Sequence, residues 1–498
     1  MVTMQYDADV VPQIVAPATA ATMDFVYPIP VPATATEIRL ARLAAGCGFN
    51  TASSYTVGAL LTLSGRWGHH GLASLNSLEM WFDYICGEGG IDQAGSMMNL
   101  VVQVVDVSAG TDAVTAGATM LANGTYGDVN VMVAPYSSTY TPYAAAVASS
   151  ANIPIVAAQA AASSVYQCAD NSSTGCAGKA IGSRRFETLF GVLAPAEAYL
   201  DGSLELFAAA GATRVAIVLE STKSFSRATC AGARELAAEL GMTVVYNYSI
   251  GAEALEVDEA STIVTEITAM NVDAVLGCTY FGTAVTMLRG YAAANQTLPD
   301  AVALVGLVTS TTAENADVMA AGNLAYVTGP ITWVSSLAGP GYNTPAGAAQ
   351  FNMYPYSGGS GMSSPMQFNA AYTDRWGSEP VPQAAAYIGA LYTVANAMTA
   401  AAGATPAAIT SALLQTNIST PFGQVNFSAS GQDLNKAMVT MQYDAEVVPQ
   451  IVAPATAATM DFVYPIPVPL MTTTIPALPG LAAAGPAAAG PGRSTRLK

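Results

Sequence analysis

From Tyr55 onward the apolar positions fall into short unbroken runs that alternate with stretches of helical period. YTVGALLTL (55–63) reads as a buried strand and leads into a Gly-rich turn, SGRWGHHG. The helix that follows puts Leu75, Leu78, Phe82 and Ile85 on one face and ends at CGEGGI, where glycines permit a left-handed cap. LVVQVVDV (100–107), VNVMVAP (129–135) and IPIVAA (153–158) are further strands, separated by Ala-rich text of helix length. RVAIVLE (214–220) opens a second series, with a helix over Thr229–Leu240, then MTVVYNYSI (242–250) and a helix over Ser261–Met270. DAVLGCTYF (273–281), a helix over Thr283–Ala294 and AVALVGLV (301–308) continue it. Strands joined by crossover helices need a parallel sheet with helices on both faces. Two such series predict an α/β chain of two doubly wound parallel-sheet lobes.

Composition narrows the function. The chain has 498 residues, 52% of them apolar and 10% charged, which places it among globular proteins large enough for two or three lobes. A net charge of −18 repels phosphate backbones, so no nucleic-acid partner is expected. Two uncharged runs, Val129–Ala169 and Pro380–Gln432, are rich in Ala, Gly, Ser and Thr and broken by Pro or Gly. They read as buried helices or βαβ units rather than membrane spans. Met1–Pro32 carries Asp7 and Asp9 and no basic stretch before an apolar one, so it does not read as a signal peptide. Of six cysteines, Cys168 and Cys176 bracket a polar loop short enough to close as a disulfide. Cys47, Cys86, Cys230 and Cys278 stand apart and read as small buried hydrophobes. Six N-x-S/T sequons, at Asn123, Asn171, Asn247, Asn295, Asn417 and Asn426, lean only weakly toward a secreted setting.

Doubly wound sheets hold small molecules at the carboxyl ends of their strands. The loops there read SGRWGHHG (64–71), YSSTYTPY (136–143), AQAAASS (158–164), STKSFS (221–226) and TYFGT (279–283). Hydroxyls and rings crowd them, while acids, bases and nucleophile motifs do not. Rings can cover a ligand's apolar part while hydroxyls and backbone N–H groups fix its polar part. His69 and His70 are the only histidines, and adjacent side chains diverge, so neither a metal site nor a Ser-His-Asp enzyme is expected. Gly358–Gly361 lacks the frame of a nucleophile elbow. No cofactor is expected.

The ordered series resembles the type I periplasmic-binding-protein superfamily, in its branched-chain amino-acid (Leu/Ile/Val) binding branch and the related receptor ligand-binding regions. The pieces that carry the resemblance are the opening strand with LSG, the helix ending in GEGGI, and APYSSTYT before IPIVAA. In the second lobe they are GATRVAIVLE and VDAVLGCTYFGTAVTMLRGYAAAN, and near the end FNAAYTDRWGSEPVPQAAAYIGALYTVANAM. The resemblance covers roughly residues 55–469 and implies two lobes closing about a hinge on a ligand, without covalent chemistry. It also implies the contacts. Ser64, Trp67 and His70 fall on the first loop, and Tyr136 precedes Ser137 and Ser138, which match the serine pair that grips a ligand carboxylate. Ala160 matches a residue offering backbone contacts, with Ser163 nearby; Phe225 matches one aromatic wall of the second lobe and Tyr280 or Phe281 another. Plainer roles stay open: the serines as caps of a helix near Thr141, Phe225 and Phe281 as core, Trp67 as hinge packing. Where the family often places Thr or Ser, this chain has Ala161 and Ala162, and where many members carry an acid for the ligand's ammonium, it has Leu307-Val308-Thr309. An α-amino acid ligand is therefore in doubt.

One feature lies outside the family pattern. Residues 1–32 recur as residues 438–469 with a single change, Asp9 to Glu446. The second copy stands where the family's closing segment belongs; the first reads as a surplus copy, the tail of an upstream unit in a tandem array that begins here at an internal methionine. Residues 33–54 then read as a linker, and 470–498 as a disordered Pro/Ala/Gly tail. Lobe 1 is expected at about 55–187 and 328–433, and lobe 2 at about 188–327 and 434–469. Two copies fitting one place in a sheet open a route to domain-swapped dimers. The function expected is non-catalytic binding of a small polar or amphiphilic ligand, amino-acid-like, amide or organic acid. It would serve a membrane transporter or a receptor signalling domain, in an extracellular or periplasmic setting. The alternatives are an α/β hydrolase or transferase using the same cleft, and a degenerate interaction module whose cleft is plugged.

Overall fold

A computed structural model describes residues 2–6, 12–17, 33–49, 53–251, 254–306, 325–333, 365–436 and 438–467. Three features read from the sequence, the tail at 470–498, Leu307-Val308-Thr309 and Gly358–Gly361, lie outside the described residues.

The chain opens with a two-stranded antiparallel sheet of its own, β1 (Val2–Tyr6) and β2 (Pro12–Pro17), followed by helix α1 (Ala33–Ala45). Lobe 1 then runs through β3 (Ser54–Leu61), α2 (Gly68–Gly87), β4 (Ile91–Gln93), β5 (Ser96–Asp106), α3 (Thr111–Ala122), β6 (Val131–Val133), α4 (Thr141–Ser150), β7 (Ile155–Ala157) and β8 (Leu189–Gly191). Its strand order is β4-β5-β3-β6-β7-β8, parallel except for the β4 edge. Lobe 2 follows with α5 (Asp201–Ala209), β9 (Arg214–Glu220), α6 (Ser224–Glu239), β10 (Thr243–Ile250), α7 (Val257–Ala269), β11 (Ala274–Cys278), α8 (Phe281–Ala293), β12 (Ala301–Leu304) and β13 (Thr328–Ile331). The chain returns to lobe 1 for α9 (Pro365–Trp376), α10 (Pro382–Ala400), a short helix Pro406–Leu413 and the hairpin β14 (Asn417–Thr420) and β15 (Gly423–Asn426). It ends in lobe 2 with β16 (Val439–Tyr443) and β17 (Pro449–Ala453), which complete the order β10-β9-β11-β12-β13-β16-β17. Helices cover both faces of each sheet, so central strands such as β3 and β11 are buried almost end to end and can be wholly apolar.

The lobe boundaries differ from those expected. β8 belongs to the first sheet and β13 to the second, so the crossings lie beyond Gly191 and Ile331 rather than near 187 and 327. Both strands are three or four residues long, too short for apolar pattern to say which sheet they join. Gly191 and Gln432 pair across two crossing segments: the Gly191 N–H donates to the Gly431 carbonyl, and the Asp433 N–H donates to the Gly191 carbonyl.

Residues 33–54 do not form a plain linker, because α1 belongs to lobe 1. Leu43 is fully buried, the Cys47 N–H donates to the Leu100 carbonyl, and Cys47 is disulfide-bonded to Cys86 at the end of α2. Arg39 pairs with the buried Glu79 carboxylate, and Arg375 of α9 reaches Glu79 from the other side at 3.5 Å. Cys168–Cys176 closes its loop, and Cys230–Cys278 ties α6 to β11, so the four cysteines read as isolated hydrophobes are two bridges. Separations of 39 and 48 residues hid them from a reading by spacing.

Gly71 in the first turn of α2 sets how closely that helix meets β3. A Cβ there would sit 1.8 Å from the Thr62 carbonyl oxygen, and a backbone atom cannot swing away. Gly71→Ala is expected to push α2 outward, costing roughly 1–3 kcal/mol, the usual range for overpacking. It would also displace His70 and Trp67 beside it. Urea unfolding of the variant measures the cost; an unchanged midpoint would contradict this packing.

Candidate ligand-binding cleft

The carboxyl ends of both sheets face one another across a cavity of about 310 Å³. Lobe 1 contributes Arg66 and Trp67 after β3, His69 and His70 at the start of α2, Tyr136–Ser138 after β6, and Gln159 and Ala161 after β7. Lobe 2 contributes Phe225 in the first turn of α6, Thr279–Gly282 between β11 and α8, and Val305 and Gly306 after β12. Pro382 and Gln383 at the start of α10 close the wall from the lobe 1 side.

Six rings form a continuous series from one lobe to the other. Their centroids are separated by 4.6 Å (His70–Tyr136), 5.1 Å (Tyr136–Trp67), 4.7 Å (Trp67–Tyr280), 5.6 Å (Tyr280–Phe225) and 5.1 Å (Phe225–Tyr199). Trp67–Tyr280 is the contact that spans the cleft. Burial, and then the neighbouring His69, hold the His70 pKa well below its ordinary value. The imidazole is therefore a neutral ring in this wall.

Arg66 is the cation among the described residues of the wall. Its guanidinium lies over the Trp67 ring at 4.6 Å and the Tyr280 ring at 5.8 Å, and reaches Glu220 of lobe 2 at 3.6 Å. Glu220, the last residue of β9, is buried, and its other carboxylate oxygen accepts the Tyr280 N–H at 2.9 Å. Burial raises the Tyr280 phenol pKa above its usual range, opposed by a hydrogen bond with Ser137. Ser138 ties two loops together: its hydroxyl oxygen accepts the N–H groups of Ala161 and Ala162 at 3.0 and 3.1 Å. Neither serine caps α4 through its side chain. Gln159 donates to the Ser74 hydroxyl and the Gln383 carbonyl, fixing the wall behind it. The Thr279 hydroxyl and the Gln383 side-chain carbonyl are buried there without a hydrogen-bond partner among the described residues.

Of the residues expected from the sequence, Trp67, His70, Tyr136, Ser137, Ser138, Phe225, Tyr280 and Phe281 lie on this wall. Three do not. Ser64 is exposed, and its N–H is bonded to the Ser108 hydroxyl. Ala160 is fully buried, with its carbonyl accepting from the Tyr166 hydroxyl, and the next residue, Ala161, meets the cavity instead. Ser163 turns its hydroxyl to Glu197 at 2.8 Å. Arg66, Gln159 and Thr279 sit within or beside loops the sequence had marked; Tyr199 and Gln383 carried no local signal. Among the described residues no group of three or more His, Cys, Asp or Glu could hold a metal.

Known structures share this architecture. The leucine binding protein LivK of Thermotoga maritima is similar at 14% identity and a TM-score of 0.61, over 80% of this chain and 97% of that one. The Rhodopseudomonas palustris ABC-transporter solute binding protein in complex with benzoate matches at 16% identity and 0.61, over 82% and 98%. LivJ of Streptococcus pneumoniae in complex with isoleucine matches at 17% and 0.60, over 81% and 100%. At such identities the likeness establishes the fold. The family model described as "Periplasmic binding protein" matches residues 54–447, and with a match across most of its length the chain belongs to that family.

Proposed function

We propose that the cleft binds a small, largely apolar organic anion, an aryl or branched-alkyl carboxylate, and holds it without covalent chemistry for delivery to a membrane transporter. The observation that carries this reading is the wall itself: a series of rings beside one guanidinium, and among the described residues no carboxylate. Helices α4, α6 and α8 all begin at the cleft, and helix N-termini favour negative charge. An ammonium group would find no acid on the described wall, since Glu220 lies behind it and is paired with Arg66, and burying one unpaired is costly. A cavity of about 310 Å³ is at the small end of ligand sites, fitting a single ring or a branched acyl chain. Of the relatives' ligands, benzoate fits these features better than isoleucine. The cavity is open, which speaks against a plugged, purely structural module.

Three disulfides suit an oxidising compartment, in keeping with a periplasmic or extracellular setting. No helix among the described residues is long and apolar enough to cross a membrane.

Thermal-shift and calorimetric titrations with benzoate, isovalerate, benzamide, leucine and isoleucine test the reading. The carboxylates are expected to stabilise the protein, by about 2.7 kcal/mol at a hundred times Kd, and benzamide is not. Binding of leucine with no response to the carboxylates would overturn it.

The Gln383 side-chain carbonyl, without a partner among the described residues, makes a finer prediction. A ring hydroxyl able to donate to it is worth about 0.5–1.5 kcal/mol, so a hydroxybenzoate should bind several-fold tighter than benzoate. Gln383→Leu should erase that preference and leave benzoate affinity nearly unchanged. A preference that persists in the variant would assign the contact elsewhere, with Thr279 the next candidate.

A further inference from the structure

The repeated segment is not absorbed by ligand binding, and the structure shows what its second copy does. Residues 438–467 close lobe 2. β16 pairs antiparallel with β13, and Val439, Met441, Tyr443, Ile451 and Ile466 are buried in the lobe 2 core. The Gln442 side chain donates to the Tyr326 and Val463 carbonyls and accepts the Val463 N–H, while the Ile466 N–H donates to the Asp300 carbonyl.

The first copy has every residue type these contacts need, at Val2, Met4, Gln5, Tyr6, Ile14, Val26 and Ile29. It also forms the same hairpin. β1 and β2 pair Thr3↔Ala16, Met4↔Ile14, Gln5↔Gln13 and Tyr6↔Pro12, with an irregularity between Thr3 and Met4. β16 and β17 pair Thr440↔Ala453, Met441↔Ile451, Gln442↔Gln450 and Tyr443↔Pro449, with the irregularity between Thr440 and Met441. The two registers correspond position by position. The single difference, Asp9 for Glu446, corresponds in the second copy to an exposed turn residue that makes none of the seating contacts.

We infer that residues 1–32 are a second, interchangeable closing segment for lobe 2, and that their partner is the β13 edge of another copy of this chain. The inference is independent of which ligand the cleft takes. Two segments of equal intrinsic affinity are separated only by tethering. The resident copy joins its own lobe directly and acts at an effective concentration on the order of millimolar. Wild-type protein at micromolar concentration should therefore stay monomeric, and weakening the resident copy should let a neighbour's first copy take its place. An exchange that does not close on itself extends into chains.

The test uses the full chain with Met441→Asp and Tyr443→Asp, studied by light scattering and thermal unfolding. The expected result is a concentration-dependent rise to at least twice the monomer mass. It should be abolished by adding Met4→Asp and Tyr6→Asp, and reversed by excess of a synthetic peptide of residues 1–32. Because the variant's own folding is weakened, the peptide also serves as a direct probe. It should raise the variant's Tm by several degrees, and the same peptide with Met4→Asp should not. A variant that gains neither mass nor peptide stabilisation overturns the inference, as does an assembly that survives the Met4 and Tyr6 substitutions. A variant that stays monomeric yet depends on Met4 would place the exchange within one chain and overturn the second-copy partner.

Discussion

Arg66→Met is expected to weaken carboxylate binding about ten- to a hundredfold. A hydrogen bond to a charged group contributes about 1.5–3 kcal/mol, and each 1.4 kcal/mol is tenfold in Kd. Its side chain is 35% exposed, which favours the lower part of that range. Arg66 has a second task, because it links the lobes through Glu220 at 3.6 Å. Removing it leaves the Glu220 carboxylate, buried behind the wall, with the Tyr280 N–H as its hydrogen-bond donor among the described residues, so part of the loss comes from repulsion of the ligand. Glu220→Gln separates the two effects. The amide oxygen still accepts the Tyr280 N–H, the negative charge is gone, and the guanidinium is released to the ligand. That variant should bind the carboxylate several-fold more tightly, and the double variant should fall between the singles. Calorimetry on all four proteins gives the coupling directly. If Arg66→Met binds benzoate like the wild type, the anion is held elsewhere and the proposed ligand class falls.

The site was legible where function and strand ends coincide. A ring or hydroxyl just after a buried strand is visible in one dimension, which is why Trp67, Tyr136, Ser137 and Tyr280 were found. Gln383 reaches the same wall from the start of a helix more than 200 residues later in the chain than Gln159, whose amide it accepts. No period or spacing reports such a meeting. Ala160 and Ala161 show the opposite failure: along an extended segment neighbouring residues face opposite ways, so a one-position error exchanges core for cavity. For the fold, β9 was read with its observed bounds because Arg214 and Glu220 mark the ends of its apolar run, whereas β6 and β11 were read too long because apolar text continues past their last paired residues. Helix α1 was missed because Arg39 and Arg42 look like a solvated linker until Glu79 and Asp83 of α2 are placed opposite them.

Lys436→Met should be more damaging than Asp433→Asn, although each removes one of two opposite charges that influence one another beside the hinge. Lys436 is buried, lies 3.7 Å above the Phe422 ring, and donates to the Phe422 carbonyl at 2.6 Å. Its loss leaves that carbonyl without its buried donor, which typically costs about 1–3 kcal/mol, and removes a cation that favours the ionised Asp433. Asp433→Asn leaves a lysine that can shed its proton and still donate, so the cost is about 1–2 kcal/mol. The pair also fixes a pH signature. Burial raises the Asp433 carboxyl from 3.8 to about 6, opposed by Lys436 and by the N–H groups of Asn426 and Asn435. Burial lowers the Lys436 ammonium from 10.5 to about 7, opposed by Asp433. A raised folded-state pKa gives Asp433 a contribution that is full below pH 3.8 and lost as pH rises through about 6. A lowered one gives Lys436 a contribution that is full above pH 10.5 and lost as pH falls through about 7. Both contributions are therefore smallest between about pH 6 and 7, where both groups are charged. Relative to wild type, Asp433→Asn should gain stability as pH rises from about 4 to 6, because it lacks the carboxyl that must ionise in the interior. Urea titrations of both proteins across that range measure the difference, and a constant offset would show that Asp433 does not titrate there. The Asp433 N–H also donates to Gly191 between the two crossing segments. Lys436→Met should therefore weaken ligand affinity as well as stability, because strands that carry the lobes past one another lose their fixed register.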